Sequence, residues 1–274
     1  MFILMNSIDI VSDLHIEHWD PKFKYVEKNN EDYAVNAPFK LTPFSDILVV
    51  AGDVADNIDD AIKYLNDLSK KYKHVLFVDG NHEHYGKYPK LLSDDDIDAK
   101  FKANNNKKLV FLTKNPFLYK GHLFVGCNGW WDFNDSPFFM KKSMKIYSDY
   151  FNLSINESHD LVKSIYKTGH EQIKKLESLV KKAQNNQDIK SINIVTHTVP
   201  LKKYTSYNYP CEMNTLYSKL FNYKKIRHWI FGHTHSTFHD FDYSDETNIK
   251  YVCNPRGRPN WAMRINYNHV SALL

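Results

Sequence analysis

Apolar residues along this chain come in short, separated runs, and most runs stop at a polar cluster. Ile8 to Val11 gives way to Ser12 and Asp13, and Ile47 to Val50 leads to Gly52 and Asp53. Val75 to Val78 precedes Asp79 to Glu83, Ile192 to Val195 precedes Thr196 and His197, and Trp229 to Phe231 precedes Gly232 to His235. Such runs, bounded by glycine and polar residues, predict buried strands. Between them, Ile58 to Tyr72, Tyr88 to Ala103 and Ser158 to Gln184 predict helices; in the last, Leu161, Ile165, Ile173, Leu176 and Val180 recur at largely helical spacing. Strands alternating with helices indicate an α/β protein. Leu109 to Leu112, Phe117 to Tyr119 and Leu123 to Gly126 predict a run of hairpin-connected strands with a turn at Lys120-Gly121. Thr237 to Tyr243, Ile249 to Cys253 and Met263 to Tyr267 predict further strands, and two sheets packed face to face with helices outside accommodate them all.

Length and composition narrow this picture. With 274 residues, 42% of them apolar, and only Gly 9 and Pro 10, the chain can bury a sizeable core, and neither a linker nor a repeat divides it, so one domain over 1–274 is expected. The formal charge of +4, Lys+Arg 36 against Asp+Glu 32, neither requires nor excludes nucleic acid. Cys127, Cys211 and Cys253 are far apart and lack CxxC spacing, which argues against a disulfide framework or a thiolate zinc site and favours a reducing, cytoplasmic setting. Met1 to Val11 lacks a basic leader region and reads as the first core strand. No apolar run approaches the roughly 18 residues of a spanning helix, so no membrane partner is expected.

The polar clusters change the picture most. In order they are Asp13-Leu14-His15, Gly52-Asp53-Val54-Ala55-Asp56, Gly80-Asn81-His82-Glu83, Thr196-His197 and Gly232-His233-Thr234-His235. Alone, an Asp-x-His after a strand is usually a turn or a helix cap, and Gly-Asp carries almost no information. Gly-Asn-His-Glu is more specific, because an amide, an imidazole and a carboxylate in a row have little packing use. All the clusters together, each where a buried strand emerges, point to one site, because strand ends converge at the carboxyl edge of an open sheet. Carboxylates and imidazoles with one amide oxygen and no thiolate suit borderline and harder divalent ions such as Mn, Fe, Zn or Ni. Glycine before Asp53, Asn81 and His233 offers the backbone freedom that such loops need.

These motifs closely resemble the signature of the calcineurin-like metallophosphoesterases: Asp-x-His, Gly-Asp-x-x-Asp, Gly-Asn-His-Asp/Glu, His and Gly-His-x-His, in that order. The tail Val252-Cys253-Asn254-Pro255-Arg256-Gly257 and the segment Gly126-Cys127-Asn128-Gly129-Trp130-Trp131-Asp132-Phe133 further resemble a bacterial and phage subgroup with uncharacterised members. The resemblance implies a four-layer α/β/β/α sandwich of two mixed sheets flanked by helices, the metallophosphatase fold. It implies two divalent metal ions, one held by Asp13, His15, Asp53 and His235, the other by Asp53, Asn81, His197 and His233, with Asp53 bridging. It further implies a metal-bridging hydroxide as nucleophile, His82 as general acid and Asp56 as the carboxylate that orients it.

Two departures bear on the substrate. Asn57 stands where the family's protein phosphatases carry a phosphate-gripping Arg, and Thr198 stands where many subgroup relatives carry a second His. Aromatic residues crowd the segments beyond the motifs: Trp19, Tyr85, Trp130, Trp131, Phe133, Phe138 and Phe139. They could stack on a base or aryl group. Trp130 is read as core, and Trp131, Phe138 and Phe139 as part of a substrate lid around 128–156. Arg256 and Arg258 read either as phosphate contacts or as surface-turn residues. The expectation is a phosphodiesterase acting on a small or nucleotide-like ester, against a phosphomonoesterase, a single-strand nuclease, or a binding scaffold on the same fold.

Overall fold

The computed structural model describes residues 7–20, 39, 41–87, 91–205, 211–241, 248–259 and 267–274. The first sheet holds β1 (Ser7–Val11), β2 (Ile47–Ala51), β3 (His74–Val78), β4 (Leu109–Phe111) and β11 (Val270–Leu273), in the order β11-β1-β2-β3-β4. β1 to β4 run parallel, and β11 is antiparallel to β1. The second sheet, in the order β5-β6-β7-β8-β10-β9, holds β5 (Phe117–Tyr119), β6 (His122–Cys127), β7 (Ser191–Thr196), β8 (Ile226–Phe231), β9 (Phe238–Phe241) and β10 (Lys250–Cys253). Its inner strands are parallel and its two edge strands antiparallel.

Every residue of β1, β2 and β7 is buried. Both faces of each sheet are covered, which is why these strands read as nearly unbroken apolar runs. Ile8, Ile10, Ile47, Val49, Leu76 and Val78 pack between the sheets against Phe124, Val195, Ile230 and Val252. On the outer face of the first sheet, Leu48, Val50, Val75 and Phe77 meet Ile58, Leu65 and Leu68 of α1 (Ile58–Ser69) and Ile97 and Phe101 of α2 (Asp94–Asn104). On the outer face of the second, Val125, Ile192, Ile194 and Trp229 meet Ile173, Leu176 and Val180 of α4 (Ile155–Gln184). The expected α/β/β/α layering follows. Asn57 caps α1 by accepting from the Asp60 amide at 2.8 Å, and Ser154 and Glu157 form a capping box at the start of α4.

Several expectations need correction. Leu109 to Phe111 is no hairpin partner of β5; it extends the first sheet parallel to β3, and the chain then crosses to the second sheet. The β5–β6 hairpin does turn at Lys120 and Gly121, with φ of 51° and 87°, the left-handed geometry that a tight hairpin favours. Pro137–Phe151 is a helix, α3, packed on α4 beside Trp131. The strand expected at Met263 to Tyr267 lies largely outside the described residues, as do Tyr88 to Lys90 of the second helix and Tyr243 of the strand ending there; the closing strand is β11.

Main-chain hydrogen bonds join the sheets at their carboxyl edges. The segment after β10 grips the loop after β1: Ser12 donates its amide to Asn254 O at 2.9 Å, and the amides of Arg256 and Gly257 donate to the carbonyls of Ser12 and Asp13 at 3.0 and 2.8 Å. No described helix is long and apolar enough to cross a membrane.

Candidate metal centre

β1, β2 and β3 of the first sheet deliver Asp13, His15, Asp53 and Asn81 to the junction, while β7 and β8 of the second deliver His197, His233 and His235. Asp13, His15, Asp53, His233 and His235 all have positive φ, from 42° to 68°. That region is disfavoured for side chains other than glycine, and the strain is held by the loops' packing. Gly52 also has positive φ, 81°. Gly80 is needed instead for space: a Cβ there would lie 2.1 Å from Asp53 Oδ1.

Two donor groups form, and Asp53 belongs to both. Asp13, His15, Asp53 and His235 place one ligand-type atom each within 4.8 Å of one another, and so do Asp53, His197 and His233. His15 Nε2 lies 3.2 Å from His235 Nε2 and 3.9 Å from Asp53 Oδ2, and His235 Nε2 lies 3.5 Å from Asp13 Oδ1. In the other group, His197 Nε2 lies 3.2 Å from Asp53 Oδ2, 3.1 Å from Asn81 Oδ1 and 3.2 Å from His233 Nδ1.

The outward-facing atoms fix which atoms point inward. His197 Nδ1 donates to the Ala51 carbonyl at 2.9 Å and His233 Nε2 to the Cys211 carbonyl at 3.0 Å, so their other nitrogens face the centre. Asn81 Nδ2 donates to Tyr85 at 2.7 Å, which turns its oxygen inward. Burial opposes charge on His197, but the Asp53 carboxylate overrides it and pushes the imidazole up to about 10. Burial and the His197 charge push His233 down to about 3, and burial likewise lowers His15 and His235. Two carboxylates, four imidazoles and an amide oxygen, converging and largely buried, suit divalent cations, so this set fits the metals that the sequence implied.

His82 lies beside these groups. Its Nε2 is 3.8 Å from Asp53 Oδ2, and its Nδ1 is 2.6 Å from Asp56 Oδ1. Burial opposes its charge, but Asp53 and Asp56 outweigh it and raise its pKa. With Nδ1 engaged by Asp56, Nε2 is the ring nitrogen on the Asp53 side.

Glu83 received no role from its position in the motif. Its buried carboxylate accepts from the amides of Asp53 (3.1 Å), Val54 (2.6 Å), Ala55 (3.1 Å) and Gly80 (2.7 Å). It therefore clamps the loop that presents Asp53 to the loop that presents Asn81. Burial and the Asp53 charge push it up to about 7 against the pull of those amides.

The aromatic and arginine expectations divide. Trp19 is fully buried with the Arg256 guanidinium 4.1 Å above its ring, so it is core, and Arg256 is neither a surface-turn residue nor aimed at solvent. Trp131 is 3% exposed and stacks on His233 at 5.5 Å, so it packs against the centre; Phe138 is 71% exposed. Trp130 is core, as read. The Arg258 charge reaches His15, Asp56, His82 and His235. Thr198 Oγ1 donates to the Gly129 carbonyl at 2.6 Å, tying the 128–131 loop to the segment that follows β7.

A profile of calcineurin-like phosphoesterases matches residues 7–237. A protein of Acanthamoeba polyphaga mimivirus, named only as uncharacterized protein L509, is 27% identical over 255 residues, covering 85% of this chain and 86% of its own length. A phosphopantetheinyl hydrolase from Mycobacterium tuberculosis has a similar fold, with TM-score 0.70, 18% identity and coverage of 96% of this chain and 94% of that one. A dimetal phosphatase from Danio rerio aligns with TM-score 0.58, 13% identity and coverage of 98% and 93%.

Proposed function

The chain belongs to the calcineurin-like phosphoesterase family, and on that premise we propose that it hydrolyses a phosphate ester with two divalent metal ions, the substrate being a small or nucleotide-like diester. The observation that carries this reading is Asp53, whose carboxylate is shared by two converging donor groups. Asp13, His15, Asp53 and His235 would hold one ion, and Asp53, Asn81, His197 and His233 the other. Bound there, such a pair would lower the pKa of a water and clamp phosphate oxygens for in-line displacement.

The chain's own groups supply the rest. His82 carries a proton on the nitrogen facing the centre and gives it to the leaving oxygen, while Asp56 holds the ring in place and stabilises its charge. The Glu83 clamp keeps Asp53 and Asn81 at a fixed separation. Arg258 adds positive charge on the side of His82, where a phosphate approaches. The diester preference rests on Asn57, which caps α1 instead of offering a guanidinium, and on the Tyr85 ring 5.0 Å from that of His82, where a base or aryl group can lie.

Metal-loaded protein should cleave a synthetic phosphodiester faster than the matched monoester, assayed in parallel with Mn, Ni, Zn and Mg; activity confined to the monoester would reject the diester reading. Asp53→Asn should lose metal from the two donor groups that share this carboxylate. His82→Ala should keep it while turnover falls about 10²- to 10⁴-fold, and an unchanged rate would remove His82 from the mechanism.

A further inference from the structure

Glu17, His18 and Asp56 gather on the flank of the centre, and their ligand-type atoms lie within 4.8 Å of one another. We propose that these three side chains form an additional divalent-cation site, adjacent to the Asp53 centre and sharing none of its donors. Two carboxylates and an imidazole form an oxygen-rich set with one nitrogen, suited to Mn or Zn and leaving coordination positions for water.

Glu17 points to a ligand most directly. Its side chain is 5% exposed, and neither oxygen accepts a hydrogen bond from another residue. Its Oε1 lies 3.5 Å from His18 Nε2 and 3.6 Å from His15 Nδ1, beyond good hydrogen-bonding distance. Burying a carboxylate without a hydrogen-bond donor is costly, and a cation shared with His18 and Asp56 removes that cost. Asp56 commits Oδ1 to His82 at 2.6 Å and keeps its second oxygen for an ion. The site is open on one side, since the side chains of His18 and Asp56 are 37% and 34% exposed. The short 3-10 turn Ile16–His18 follows His15, held at φ 42°, and fixes where Glu17 and His18 emerge. Arg258 interacts with both carboxylates and offsets only part of their charge.

The test counts ions on full-length wild type, His18→Ala, Glu17→Gln and Asp53→Asn after equilibrium dialysis against Mn²⁺, with thermal melts confirming that each is folded. His18→Ala is the leading variant because His18 belongs to neither donor group of the Asp53 centre. It should bind one ion fewer per chain than wild type, Glu17→Gln should weaken that ion at least tenfold, and Asp53→Asn should still bind it. Equal counts and isotherms for wild type, His18→Ala and Glu17→Gln would overturn the site, even if Asp53→Asn loses metal as the two-ion reading requires. Loss of every ion from folded His18→Ala would also overturn it, because the donors would then belong to a single centre. Metal lost from His18→Ala but not from Asp53→Asn would uphold this site and reject the two-ion reading.

Discussion

Glu83 carries more of the site's architecture than its place in the motif suggests. Four buried amides depend on it, and each donor left unsatisfied costs about 1 to 3 kcal/mol. Glu83→Ala should therefore destabilise the protein by about 3 kcal/mol or more and weaken ion binding, measured by urea unfolding and metal titration; a loss below about 1 kcal/mol would mean that the loops hold their places without it. The convergence of the proposed ligands was legible in the sequence, because Asp, His and Asn at successive strand ends have little use in packing. Glu83 was not, because a carboxylate beside the proposed ligands looks like one more polar residue until the amides around it are known. The same limit applied to glycine. Sequence suggested conformational freedom at Gly80, and the structure shows close approach to Asp53 instead.

Among the elements, β8 carries a pH dependence. His228 is 6% exposed and takes part in a 2.8 Å hydrogen bond with Asn193. Burial, with the charges of Lys250 and Arg227 adding, pushes it down from 6.5 to about 4. As pH falls the unfolded chain takes up this proton first, so the contribution is present above pH 6.5 and is lost between there and about 4. The loss amounts to something on the order of 3 kcal/mol. Wild type should lose more stability than His228→Gln between pH 7.5 and 4.5 in guanidinium unfolding, and parallel losses would contradict the assignment. Element types were largely readable, since long amphipathic helices and doubly covered strands announce themselves by period and length. β4 was given the wrong partner because an apolar run does not say which sheet it joins. α3 was missed although Met140, Met144, Tyr147 and Phe151 follow Ser136-Pro137 at helical spacing; the crowding of Trp131, Phe138 and Phe139 drew the reading towards a lid.

Taken whole, the molecule draws its candidate centre from both sheets, so ions bound there should tie one sheet to the other. Each ion at about 100 times its Kd should stabilise the fold by about 2.7 kcal/mol, raising Tm by roughly 5 to 10 °C per ion for a chain of this size. Scanning calorimetry with Mn²⁺ and with chelator would check this, and superimposable transitions would argue that the donors hold no ion. The four-layer arrangement was legible once two groups of strands and outer helices were recognised. The joining of the sheets was not, since it is made by main-chain groups whose partners lie more than 200 residues away.

That joining has a practical consequence. Residues 7–237 account for the family match and contain every proposed ligand, yet the stretch from Asn254 to Gly257 fastens the loop bearing Asp13 and His15. A fragment trimmed to the matched span would keep the whole set of side chains and lose the buckle that holds two of them, so minimal versions of this protein should retain their far end.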